Sequence, residues 1–188
     1  MAARQRFNFK LGWVFKNPVL TIGGHLDKPQ IRVLLVDDFY PFRRYLSSTL
    51  RKRADVRVIG EAADGLEAVK QVKQLVPDLV LLDIGLPRQN GIDAARQIRT
   101  VCPNTKIIFV SQESSRELVE EALALGAKGY LVKSALAMEL MAALDAVIGG
   151  EWFVSRECEE HHGKSPSKAS PQILERAEVL RFRRVNAP

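Results

Sequence analysis

The chain has 188 residues, of which 46% are hydrophobic and 27% charged, a balance typical of a globular protein rather than a disordered one. No stretch approaches the roughly 20 uninterrupted apolar residues of a membrane-spanning helix. Two cysteines, Cys102 and Cys158, suffice neither for a disulfide framework nor for a paired zinc motif. A reducing, cytoplasmic location is therefore expected.

The net charge of +6 is concentrated at the amino terminus. Residues 1–30 carry five Lys/Arg against one Asp, whereas 31–150 carry sixteen against fifteen and 151–188 carry seven against six. A near-neutral body with a basic leader is weak support for nucleic-acid binding. The apolar run in the leader is only five residues long before Lys16-Asn-Pro18, too short for an export signal. We expect residues 1–30 to form a flexible basic extension.

Five apolar runs of strand length, rich in β-branched residues, lie between residues 31 and 150. In chain order they cover 31–36, 56–59, 78–82, 106–110 and 130–132. An amphipathic helix pattern follows each run. Asp64, with Glu67 three residues later, predicts a capping box at the start of the second helix, which Pro77 ends. Gly126 suits the residue just after the fourth helix.

This alternation predicts an α/β domain with a doubly wound, five-stranded parallel sheet and helices on both faces, of the flavodoxin-like type. We expect the domain to cover 31–155. Residues 156–188 are predicted to form a linker and a short C-terminal helix that starts at Ser170-Pro171. The adjacent His161 and His162 have no spaced partner and are expected to be exposed rather than metal ligands.

Polar side chains stand where the strands of this sheet end. They are Asp37, Asp38, Asp83, Ser111 and Lys133. Doubly wound sheets bind ligands beyond the carboxyl ends of their strands, so these side chains are expected to converge. Three crowded carboxylates need a cation, and hard oxygen ligands suit Mg²⁺. With a lysine and a hydroxyl beside them, they could support phosphoryl transfer, in which an aspartate can be the nucleophile.

The motifs resemble the receiver domain of bacterial two-component response regulators. The resemblance covers about two-thirds of the chain and rests on Val36-Asp-Asp38, Leu82-Asp-Ile-Gly-Leu-Pro87 with Gly91, Phe109-Val-Ser111 and Gly129-Tyr-Leu-Val-Lys133. The sequence is most similar to the branch that is usually joined to a LuxR-type helix-turn-helix domain. Only 38 residues follow Gly150, so we expect that DNA-binding domain to be absent.

The resemblance implies that Asp83 accepts a phosphoryl group from a histidine kinase or a phosphotransfer protein. It also implies a Mg²⁺ site. Asp38 and Asp83 would bind the metal directly, Asp37 mainly through water, and Gly85 through its backbone carbonyl.

The remaining motif residues would carry the response to phosphorylation. Lys133 would pair first with the acceptor carboxylate and then with the phosphoryl group. Ser111 would move to hydrogen-bond a phosphoryl oxygen, and Tyr130 would turn inward behind it as a switch. The output would be a changed surface for a downstream protein partner.

Three positions depart from the family's commonest pattern. Ser134 follows Lys133 where many receivers have a cis-linked proline, which leaves the geometry of this peptide open. Gln112 replaces a small residue, and Glu113 follows it. Both are expected to alter the kinetics of phosphorylation more than its chemistry.

The sequence thus predicts a phosphorylation-dependent signalling switch, not an enzyme apart from self-dephosphorylation, with homodimerisation as an option and DNA not expected as a partner. One alternative is a DNA-binding regulator that uses its basic termini. A second is a hydrolase of the aspartyl-phosphate type, which usually has a second aspartate where Gly85 stands. A third is a phosphorylation-independent pseudo-receiver, against which the complete acidic set argues.

Overall fold

The computed structural model describes residues 30–160, without the side chains of residues 159 and 160. Within that range six strands alternate with six helices. The strands are β1 (Ile31–Val36), β2 (Val56–Ala62), β3 (Leu79–Asp83), β4 (Lys106–Ser111), β5 (Gly129–Val132) and β6 (Phe153–Val154). The helices are α1 (Tyr40–Leu50), α2 (Gly65–Leu75), α3 (Gly91–Val101), α4 (Arg116–Ala124), α5 (Leu136–Ile148) and α6 (Arg156–Glu160).

Several sequence predictions lie outside the described residues. They concern the basic extension before Gln30, the histidines at 161 and 162, and the helix starting at Ser170-Pro171. Among residues 30–160, no helix is both long enough and apolar enough to cross a bilayer.

The strands form a single parallel sheet in the order β2-β1-β3-β4-β5-β6. This confirms the predicted doubly wound α/β architecture, with one strand more than the five expected. The additional strand, β6, is two residues long and pairs with Gly129 and Tyr130 of β5. So short a run carries no periodicity of its own, and only its hydrogen bonds to β5 make it a strand.

Helices cover both faces of the sheet, as predicted. Successive residues of a strand point to opposite faces, so each strand contributes apolar side chains to both. In β1, Leu34 and Val36 pack in a core that includes side chains of α2, α3 and α4. Val33 and Leu35 pack in a second core, which is shared with α1 and α5. The central strands are therefore buried on both sides, which explains their continuous apolar runs.

Local capping signals are seen at the start of α2 and at the end of α4. Asp64 accepts a hydrogen bond from the Glu67 N–H (2.9 Å), as the sequence predicted. The Glu67 carboxylate accepts from the Ala63 N–H (3.0 Å) rather than from that of Asp64, so the predicted capping box closes one residue earlier. Gly126 has a φ of 91° just after α4, the left-handed conformation that glycine allows.

Candidate functional site

The strand order brings three carboxylates together at the carboxyl edge of the sheet. β1 and β3 are neighbours, and Asp37 and Asp38 follow the first while Asp83 ends the second. One carboxylate oxygen from each residue lies within 4.8 Å of the other two. Asp37 and Asp83 are buried, whereas Asp38 is exposed. The cluster is thus buried on the sheet side and open to solvent at Asp38.

Lys133, just after β5, reaches across the sheet edge to two of these carboxylates. Its Nζ lies 2.8 Å from Asp83 Oδ2 and 2.7 Å from Asp37 Oδ2. Burial lowers the pKa of Lys133, but the two carboxylates outweigh it and the net shift is upward. The ammonium therefore stays charged at neutral pH. The sequence indicated the contact with Asp83, and the one with Asp37 was missed.

The environment of Asp37 is short of positive charge. Burial raises the pKa of its carboxyl group. The Lys133 ammonium and the backbone N–H of Phe39 both lower this pKa, but they offset the effect of burial only in part. Its Oδ1 accepts the Phe39 N–H at 2.8 Å. Its Oδ2 is buried and lies 2.7 Å from the Lys133 ammonium. Three carboxylates with one lysine between two of them leave an excess of negative charge, which fits a hard divalent cation.

The loop after β3 leaves the Asp83 side of the cluster accessible. The Gly85 N–H donates to Asp83 Oδ1 at 3.2 Å, which orients that carboxylate. A Cβ built on Gly85 would meet no atom within 4 Å, so this side of the site is open space. The residues present can therefore hold a metal ion beside Asp83 without steric hindrance from position 85.

Ser111 and Tyr130 both hydrogen-bond to the backbone of Glu113. Ser111 is buried, and its Oγ accepts the Glu113 N–H at 3.0 Å. The Tyr130 ring is fully buried, and its hydroxyl donates to the Glu113 carbonyl at 2.7 Å. Tyr130 thus already points inward, and the loop that follows β4 holds both side chains.

Burial raises the pKa of Tyr130 to about 12 from the ordinary 10.0, against a smaller opposing effect of Ser111. Between pH 10 and 12 the unfolded chain loses the phenolic proton while the folded protein keeps it, so stability falls as the pH rises. From pH 9 to 11 we expect the wild type to lose about 1 kcal/mol more free energy of unfolding than Tyr130→Phe. Urea denaturation of both proteins at the two pH values measures this, and equal losses would contradict the assignment.

The structure also describes the three positions that depart from the commonest family pattern. Residues 30–160 contain no cis peptide bond, so the Lys133-Ser134 linkage, left open by the sequence, is trans. The Ser134 hydroxyl donates to the Glu157 carboxylate of α6 at 2.8 Å. Gln112 and Glu113 are exposed, and their effect on kinetics stays a prediction.

The model of the response regulator receiver domain family matches residues 33–145, a range that contains the whole acidic cluster and Lys133. The chain belongs to this family. The resemblance that the four sequence motifs indicated is thereby confirmed.

Among curated relatives, the receiver is 39% identical over 126 residues to the uncharacterized transcriptional regulatory protein YxjL of Bacillus subtilis. That match covers 67% of this chain and 58% of YxjL, so the chain spans less than two-thirds of that relative. It is also 41% identical over 116 residues to the chemotaxis protein CheY of Thermotoga maritima, covering 62% of this chain and 96% of CheY. A transcriptional regulatory protein and a chemotaxis protein thus both contain a region similar to this receiver.

Two solved structures of response regulators are similar to this receiver. A LuxR-family response regulator from Aurantimonas sp. SI85-9A1 superposes with a TM-score of 0.67 at 30% identity, covering 72% of this chain and 99% of that one. CheY in the CheX-CheY-BeF3-Mg complex of Borrelia burgdorferi superposes with a TM-score of 0.55 at 30% identity, covering 61% and 89%. The fold and the predicted LuxR-related branch agree with these neighbours.

Proposed function

We propose that this receiver is a signalling switch that accepts a phosphoryl group on Asp83 from the phosphohistidine of a histidine kinase or phosphotransfer protein. The observation that carries the proposal is the buried Asp83 carboxylate, which Lys133 holds at 2.8 Å beside two further carboxylates. In a member of the receiver family, this arrangement supports aspartate as the nucleophile.

Asp37, Asp38, Asp83 and the Gly85 carbonyl would hold Mg²⁺. The ion, when bound, supplies positive charge that offsets the phosphoryl oxygens. The excess of three clustered carboxylates over one lysine supports a cation here, and the related Borrelia CheY was solved with Mg²⁺ and BeF3.

In the transfer, an Asp83 carboxylate oxygen forms a bond to phosphorus as the P–N bond of the donor breaks. The electron pair of that bond stays on the imidazole nitrogen, which takes up a proton. Lys133, already charged, would exchange its contact with Asp83 Oδ2 for one with a phosphoryl oxygen. Almost all the catalysis would be positioning and charge stabilisation.

The response would begin at Ser111. Its hydroxyl now accepts the Glu113 N–H, so turning towards a phosphoryl oxygen would release the loop that Tyr130 also holds. This would change the surface formed by α4, β5 and α5 for a downstream protein partner. Homodimerisation is a further option. DNA binding by the basic termini would depend on residues outside the described range.

The test is phosphorylation by acetyl phosphate with and without Mg²⁺, read by intact mass. We expect the wild type to gain one phosphoryl group only with Mg²⁺, and Asp83→Asn to gain none. Asp145→Asn is the matched control, because this carboxylate lies on α5 with its side chain 66% exposed and should not affect the reaction.

Phosphorylation of Asp83→Asn would overturn the assignment of the acceptor. A wild type that stays unmodified by both acetyl phosphate and phosphorylated histidine kinases would overturn the proposed switch. If only the small donor fails, Gln112→Ala should restore phosphorylation, since the smaller side chain would no longer crowd the approach to Asp83.

A further inference from the structure

We propose that Phe42 is a positioning residue of this site, whose aromatic face holds the Lys133 ammonium between Asp37 and Asp83. The inference rests on the proposed function, since it concerns the lysine that would contact the phosphoryl group. The Lys133 Nζ lies 4.8 Å from the centroid of the Phe42 ring. That distance is well within the range of a cation–π interaction.

The backbone around Phe42 couples its ring to the acidic loop. α1 begins two residues after Asp38, and the Phe42 N–H donates to the Phe39 carbonyl at 3.0 Å. The Phe39 N–H in turn donates to Asp37 Oδ1. The ring therefore has a defined place relative to one of the two carboxylates that Lys133 contacts.

Packing holds the ring on its other sides. Phe42 is half-buried against the apolar core under α1 and α5, and its centroid lies 6.3 Å from that of Tyr45 in a tilted pair. A ring confined by neighbours presents its face in one direction. The ammonium occupies a position over that face.

The lysine needs such a partner because its side chain is long and its charge compact. Two carboxylates at nearly equal distances, 2.7 and 2.8 Å, attract the same Nζ, and Lys133 has only 16% of its side chain exposed. A ring face attracts the ammonium and displaces water without competing for it as a third anion would. Phe42 would thus restrict Lys133 to the position from which it can reach a phosphoryl oxygen on Asp83.

An aliphatic residue of similar bulk would fill the same space but would lack the negative face of the ring. This difference separates positioning from simple packing. Phe42→Leu removes the ring face and Phe42→Tyr keeps it. Tyr40→Leu is the matched control, because it removes an α1 aromatic whose ring lies under Arg43 (5.5 Å) instead of Lys133.

We expect Phe42→Leu to slow Mg²⁺-dependent phosphorylation of Asp83 by acetyl phosphate about fivefold to tenfold. Phe42→Tyr and Tyr40→Leu should remain within about twofold of the wild type. In NMR spectra, the Lys133 ε-methylene protons should show an upfield ring-current shift in the wild type and in Phe42→Tyr. In Phe42→Leu that shift should disappear. Far-UV circular dichroism and urea unfolding verify that each variant is folded.

Equal rates and unchanged Lys133 shifts in Phe42→Leu would overturn the inference. So would equal slowing by the Leu and Tyr variants, since packing alone would then explain the effect. Failure of the proposed function is distinguishable, because the wild type would then take up no phosphoryl group. In that case the Lys133 shift alone decides whether Phe42 holds the ammonium.

Discussion

Substituting alanine for Gly91 is expected to lower the free energy of unfolding by about 3 kcal/mol and to abolish phosphorylation of Asp83. Gly91 is the first residue of α3 and packs directly against the end of β3. A Cβ there would overlap the Asp83 carbonyl oxygen and would lie 2.8 Å from the Ile84 Cα. These are backbone atoms, so either α3 or Asp83 has to move.

Gly85→Ala provides the matched control. This glycine lies in the loop between β3 and α3, and a Cβ on it meets no atom within 4 Å. The stability of Gly85→Ala should therefore stay within about 0.5 kcal/mol of the wild type. Urea unfolding of both variants, with intact-mass phosphorylation of Gly91→Ala and the wild type, measures these effects. If Gly91→Ala proves as stable as Gly85→Ala, the close approach of α3 to Asp83 is wrong.

Replacing Lys133 with methionine is expected to cost about 3 kcal/mol in metal-free buffer at pH 7. The substitution preserves much of the apolar stem but leaves Asp37 and Asp83 buried without their cation. Saturating Mg²⁺ should recover part of this loss, because the ion would supply the missing positive charge. Chemical denaturation with EDTA and with Mg²⁺ measures both effects.

Asp37→Asn should raise the free energy of unfolding of the metal-free protein, whereas Lys133→Met should lower it. The two variants are therefore compared directly. Burial raises the pKa of Asp37, so its carboxylate is less favourable in the folded protein than in the unfolded chain. Removing that charge is expected to stabilise the metal-free protein and to weaken stabilisation by Mg²⁺. Destabilisation of metal-free Asp37→Asn would show that its ion pair with Lys133 outweighs the cost of burial.

Most of the architecture could be predicted from local patterns. The apolar run over 31–36 forms β1 with those bounds. The helix α2 ends at Leu75, just before the predicted stop at Pro77. Such patterns report burial and backbone conformation within a few residues, which is why they identify elements well. Right-handed crossovers then leave few arrangements of the sheet.

The same reasoning predicted that the site residues lie at one edge of the sheet. Parallel strands end on the same side, so Asp37, Asp83 and Lys133 had to converge whatever their side-chain conformations. The four motifs added the family, and through it the expected roles of those residues. Convergence at the edge and membership of the family are thus properties that the sequence by itself determined.

Only the tertiary structure decided which groups touch. That Lys133 contacts Asp37 as well as Asp83, and lies over Phe42, depends on the rotamers and on packing between β1, β3, β5 and α1. Likewise, β6 is a strand only because it pairs with β5, and Gly91 is critical only because α3 meets the Asp83 carbonyl. The contacts of Lys133 and of β6 join segments far apart in the chain, and that of Gly91 depends on how the loop after β3 folds back on it. Local periodicity carries no information about such contacts, because their geometry is set by close packing of the whole domain.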